Sequence, residues 1–183
     1  MKPALIIVDM QNDYFPGGRM ELIGIEEAAE NARHALELFR AKNLPIFHIQ
    51  HLSNRAGATF FLPETGGVEI HESVAPKSGE YLIQKHFPNS FRDTSLNGQL
   101  QNLNVEKVII CGAMTHMCID TTVRAAFDLG FRCLVISDAC ATRNLEFGGV
   151  AIEAQQVHAA FMAALSNAFA QVMEANMLES LLA

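Results

Sequence analysis

Three side chains stand where this chain can do chemistry: Asp9, Lys85 and Cys118. Cys118 falls where the loop GAMTHM gives way to an amphipathic stretch. A thiol at a helix start gains from the dipole and from free backbone N–H groups, so its pKa tends to fall. The same N–H groups can hold an oxyanion while sulfur attacks a carbonyl. Strand, sharp turn and nucleophile at a helix start is the geometry of a nucleophile elbow. A buried structural cysteine fits the position equally well. Asp9 closes the apolar run ALIIV, where a carboxylate is costly to bury unless paired or used. It reads as a general base for the thiol, or as a cap of the turn-rich QNDYFPGG that follows. Lys85 ends YLIQK and offers a cation to offset Asp9, though a solvated strand-end lysine is the commoner case. Cys111 and Cys133 lie inside apolar runs, and Cys140 follows one with no helix start behind it. No pair has CxxC spacing, and without an export signal a disulfide framework is not expected.

The elements that must position these groups alternate. Residues 4–9 read as a strand covered on both faces. Residues 25–42 carry apolar positions at helical spacing, and residues 45–50 read as a second strand. Residues 53–80 have no lasting period and form a long loop, of the kind that is usually functional or disordered. A short strand at 81–85, a helix at 95–103 and a strand at 107–112 follow. Then come a helix over 118–129 stopped by Gly130, a strand at 132–139, a helix over 150–166, a last strand at 169–173 and a terminal helix. This alternation predicts a three-layer α/β/α fold around a mostly parallel, about six-stranded, doubly wound (Rossmann-like) sheet. Sites in such sheets form beyond the carboxyl ends of the strands, where Asp9, Lys85 and the segment 112–118 lie.

The chain has 183 residues, 50% of them hydrophobic and 18% charged, with a net charge of −7. That suits one domain over residues 1–183. No stretch is rich in Lys or Arg, which disfavours nucleic acid. The N-terminal apolar run is too short for a signal core or a membrane span, so a cytoplasmic protein without membrane contact is expected.

Three blocks then carry a resemblance: VDMQNDYFPGG, KHFPNSFRDTSL and CGAMTHMCIDTTVRAAFDLGFRCLVISDACAT. In this order and spacing they resemble the signature blocks of the isochorismatase-like cysteine hydrolases, from Ala4 to about Val172. That family includes nicotinamidases, N-carbamoylsarcosine amidohydrolases and isochorismatases. The resemblance implies a catalytic triad at Asp9, Lys85 and Cys118. It also implies a non-proline cis peptide at Ala113–Met114, which aims the backbone N–H groups of Met114 and Cys118 at an oxyanion. The implied activity is hydrolysis of a small-molecule amide or ureide C–N bond through a Cys118 thioester. Isochorismatase-type vinyl-ether hydrolysis is the alternative, and a thiol-redox or binding module on the same fold is another.

Substrate-binding candidates by position are Gln11, Tyr14, Asn89, Phe91, Thr115 and His116, the last equally a solvent-facing loop residue. Phe60 and Phe61 either lid the pocket or pack beneath it. Some nicotinamidases bind a metal through a D-x-H pair after the second strand. Here the segment reads HIQHLS, without the aspartate. His48 and His51 should face opposite sides of a strand. No metal and no cofactor are expected. The resemblance also implies a homo-oligomer, dimer or tetramer.

Overall fold

The computed structural model describes residues 1–182. Its strands are β1 (Pro3–Val8), β2 (Ile46–His51), β3 (Tyr81–Lys85), β4 (Lys107–Ala113), β5 (Arg132–Ala141), β6 (Leu145–Phe147), β7 (Val150–Ile152) and β8 (Ala170–Met173). Six of them form one parallel sheet in the order β3-β2-β1-β4-β5-β8. The two central strands are almost wholly apolar because both faces are covered, with Ala4 to Val8 and Val108 to Cys111 buried.

The helices are α1 (Ile25–Ala41), α2 (Leu96–Asn102), α3 (Asp120–Asp128), α4 (Ala154–Ala168) and α5 (Leu178–Leu182). Helix α1 buries Ile25, Ala28, Ala29, Ala32, Ala35, Leu36 and Phe39, an apolar stripe at helical spacing that packs on β1, β4 and β5. The chain steps from β1 outward to β2 and β3, then returns to β4 and runs the other way. Right-handed crossovers therefore put α1 on one face and α2, α3 and α4 on the other, giving the three-layer α/β/α arrangement. The strand order reverses between β1 and β4, and the crevice beyond their carboxyl ends is the natural binding position.

Two local readings are corrected. The helix expected over 150–166 begins only at Ala154, started by a reciprocal Glu153–Gln156 capping box. Ahead of it, β6 and β7 form an antiparallel hairpin. Gly148 and Gly149 both take positive φ (59° and 78°), the conformation a tight two-residue hairpin turn demands. The helix expected to start at Cys118 starts at Asp120, and residues Thr115–Ile119 form a π-helical turn before it. The Met117 and Ile119 N–H groups both donate to the Met114 carbonyl oxygen, at 3.0 and 3.2 Å.

The long segment 53–80 is held from beneath by Asp13. This buried carboxylate accepts from the Phe61 N–H at 2.6 Å and the Arg19 N–H at 3.3 Å. Short 3-10 turns at Gly66–Val68 and Glu72–Val74 give the segment its shape. Among the described residues no helix is long and apolar enough to cross a membrane.

Candidate active site

Four adjacent strands end side by side and each contributes one group. Lys85 ends β3, His51 ends β2, Asp9 follows β1, and Cys118 lies in the turn after β4. His51 stands opposite Lys85 in register. Asp9 takes a left-handed conformation (φ 52°), which ends the strand at once. Gly112 has φ 127°, and a Cβ there would overlap the backbone of Val8. Only glycine lets β4 lie this close to β1 just ahead of the Ala113–Met114 peptide bond, which is cis.

The Lys85 ammonium has three N–H donors and three acceptors around it. It donates to Asp9 Oδ2 at 2.6 Å and to Cys118 Sγ at 3.2 Å, and its Nζ lies 3.0 Å from His51 Nδ1. Asp9 and Lys85 are both fully buried, so the ion pair is dry. Burial works against the Lys85 charge, but Asp9 and Cys118 outweigh it and hold the ammonium above its ordinary pKa. His51 is pulled down to about 4 by burial first and by Lys85 second, so its imidazole is neutral near pH 7. A neutral imidazole accepting at Nδ1 carries its proton on Nε2. The second carboxylate oxygen, Asp9 Oδ1, is buried and has no hydrogen-bond partner.

The expectation of a low-pKa thiol is overturned. Burial pushes Cys118 well above the ordinary thiol value, the Asp9 charge adds to this, and Lys85 only partly offsets it. The backbone N–H groups on either side of Cys118 are occupied by Met114, so the helix start offers less to a thiolate than its position suggested. The resting side chain is a neutral thiol.

A cavity of about 290 Å³ opens onto the sulfur. Tyr14, Phe60, Phe61, Phe87, Pro88, Met114 and Met117 wall it, and His51, Ser53, Asn54, Arg55 and His86 supply its polar groups. Of the substrate-binding candidates, Tyr14 lies on this wall. Burial, then Cys118 and Asp9, raise its phenol well above the ordinary value, so it remains a hydrogen-bond donor.

The other candidates are engaged elsewhere. Gln11 is fully buried and clamps the β2 end, accepting from the His51 N–H at 2.8 Å and donating to the His51 and Val68 carbonyls. Asn89 caps its own turn by accepting from the Phe91 N–H, and Phe91 stacks on Phe131. Thr115 is buried against the Ala141 carbonyl and His158. His116 pairs with the Thr142 hydroxyl at 2.6 Å. Position after a strand end singled out these residues, but local hydrogen bonds and packing take up their side chains. Phe60 and Phe61 pack on each other and on Tyr14 and form cavity wall.

His51 is the group that sequence reasoning passed over. Its spacing from His48 does turn the two rings apart. His48 Nε2 lies 2.8 Å from Glu80, which also binds Arg40 of α1, while His51 turns to Lys85. The D-x-H metal arrangement is therefore not reproduced by these two residues. Among the described residues, the side chains that bring three metal-type donor atoms together are Asp9, His51 and Cys118, all within 4.8 Å of one another.

A three-layer α/β/α fold of this topology thus carries a carboxylate, a lysine and a thiol at the switch point of its parallel sheet. The chain belongs to the isochorismatase family of hydrolases: the isochorismatase domain profile matches residues 3–177. It is 51% identical over 172 residues to the uncharacterized isochorismatase family protein YddQ of Bacillus subtilis, covering 94% of this chain and 96% of YddQ. The crystal structure of a putative isochorismatase hydrolase from Oleispira antarctica superposes with a TM-score of 0.94 at 49% identity, covering 98% of this chain and 96% of that one. Relatives with named activities include the secreted isochorismatase effector Isc1 of Verticillium dahliae, 36% identical over 78% of this chain and 74% of its own. Nicotinamidase 3 of Arabidopsis thaliana is 28% identical over 78% of this chain and 75% of its own.

Proposed function

We propose that the protein is a cysteine-dependent hydrolase that cleaves the C–N bond of a small amide or ureide through a Cys118 thioester. The observation that carries this reading is the buried Lys85 ammonium joining Asp9 and Cys118, with Asp9 Oδ1 left without a partner. A neutral thiol beside a free carboxylate oxygen suits proton transfer coupled to attack, with no thiolate formed beforehand. Sγ bonds to the carbonyl carbon while its proton passes to Asp9 Oδ1, and Lys85 offsets the charge on sulfur. The carbonyl oxygen becomes an oxyanion facing the N–H groups of Met114 and Cys118. Asp9 returns the proton to the leaving nitrogen as the C–N bond breaks. Water then adds to the thioester with Asp9 again as base, releasing the acid and restoring the thiol. The apolar, aromatic cavity suits an amide with a planar or branched apolar acyl group. An amidase among the relatives, the nicotinamidase, is consistent with this chemistry.

The test is a screen of small amides and ureas for ammonia or amine release. It is paired with acid-quench mass spectrometry of the protein under turnover. The expected result is an acyl mass adduct on Cys118 and no turnover in Cys118→Ala. A second reading, cleavage of a vinyl-ether C–O bond, is favoured by the relative named an isochorismatase effector. Hydrolysis of such an ether that survives Cys118→Ala would establish that reading and remove the thioester route.

A further inference from the structure

The three acceptors around Lys85 Nζ are one oxygen, one nitrogen and one sulfur, at 2.6, 3.0 and 3.2 Å. Carboxylate, imidazole and thiolate are the three donor types that zinc takes from proteins, and three protein ligands with one open position is the layout of an open zinc site. The three donor atoms lie within 4.8 Å of one another at the floor of the cavity. A zinc ion needs ligand distances of about 2.0–2.3 Å, so the donors have to close in by somewhat under an ångström from where the ammonium holds them. Gln11 fixes the backbone of His51 from both sides, and Asp9 Oδ1 is free to give a second oxygen.

We propose that Asp9, His51 and Cys118 form a socket for a soft divalent cation of the zinc type, and that the Lys85 ammonium fills this socket in the resting protein. Lys85 is then the built-in cation of the site, and it keeps such metals out. When a metal binds, Cys118 loses its proton to solvent and becomes a thiolate ligand, so one proton leaves per ion taken up. The fourth position faces the cavity and takes water. The inference concerns the socket alone and does not depend on the reaction proposed above.

The experiment is a cobalt(II) titration of wild type, Lys85→Met and Lys85→Met/Cys118→Ser, followed by absorption and then by zinc displacement. Lys85→Met keeps the stem volume and removes the charge. It is expected to take one equivalent of cobalt at least about tenfold more tightly than wild type, with the near-ultraviolet charge-transfer band of a thiolate ligand. The band should vanish in the double variant. If Lys85→Met does not fold alone, zinc added during refolding is expected to restore the native circular dichroism and raise Tm. A folded Lys85→Met that binds cobalt no better than wild type overturns the proposal. So does binding that survives Cys118→Ser, or an unfolded Lys85→Met that zinc fails to rescue.

Discussion

Asp9→Asn separates the two things that Asp9 does to its neighbours. The side chain keeps its shape and loses its charge. At 2.6 Å the Asp9–Lys85 attraction is gross, about 6 kcal/mol at an effective dielectric of about 20. Much of it offsets the cost of burying two ions, and removing one partner of such a pair typically costs about 3–5 kcal/mol. For a chain of this size that is a fall in Tm of about 6–20 °C, which leaves the protein folded at room temperature. The same change acts on the thiol in the opposite sense. Asp9 raises the Cys118 pKa and Lys85 lowers it, so losing Asp9 leaves only the lowering influence besides burial. Cys118 in Asp9→Asn should therefore be alkylated by iodoacetamide faster at pH 7–8 than in wild type. Hydrolysis should meanwhile fall by about 10²–10⁴, because no base carries the proton to the leaving nitrogen. The assay is intact-mass alkylation against pH at a temperature well below the variant's Tm. Cys111, Cys133 and Cys140 serve as controls for global opening, since burial raises all three thiols. Slower alkylation of Cys118 in the folded variant would show that Asp9 does not hold the proton on sulfur, and the coupled-transfer argument would fail.

Gly112→Ala should cost more than about 3 kcal/mol or prevent folding, because the new Cβ meets the Val8 backbone and φ is 127°; urea unfolding measures this. Asp13→Ala leaves the Phe61 and Arg19 N–H groups without their acceptor, an expected loss of about 1–3 kcal/mol seen by thermal unfolding. It should also raise KM, since the Phe60–Phe61 wall loses its anchor. Acid should weaken the fold in two stages. His51 has its pKa lowered from 6.5 to about 4, so it binds a proton in the unfolded chain before it does in the folded one, and stability falls from about pH 6.5 to pH 4. Glu80 is desolvated, yet Arg40, the Lys77 N–H and His48 together hold its carboxyl down at about 2. Its contribution is full above the ordinary value of 4.5 and is lost as pH falls towards 2. His51→Gln should make the upper stage shallower without abolishing it, because burial also lowers His48, His71, His116 and His158, and should leave the lower stage unchanged, as read from urea midpoints across pH.

The sequence by itself determined the strand–helix alternation, the ends of the strands and the three groups Asp9, Lys85 and Cys118. These are local properties: an apolar run of the right length and a polar residue at its end can be read without knowing what lies opposite. Strand alternation also separated His48 from His51. It could not say which of the two faces the crevice, because that depends on the register of β2 against β3 and β1. The hairpin before α4 was legible in its Gly148–Gly149 pair, but the alanine-rich stretch behind it carried the helical reading forward. Tertiary structure decided the rest. Lys85 meets Asp9 across 76 residues, Cys118 across 33 and His51 across 34. Thr115 and Gln11 are placed correctly near strand ends, yet their polar atoms are taken by backbone groups that only the fold brings near. One side of the cavity comes from residues 53–61, which have no period to read. The charge state of Cys118 follows from burial and from the balance of Asp9 against Lys85. Desolvation and distance between remote side chains exist only once the chain has packed.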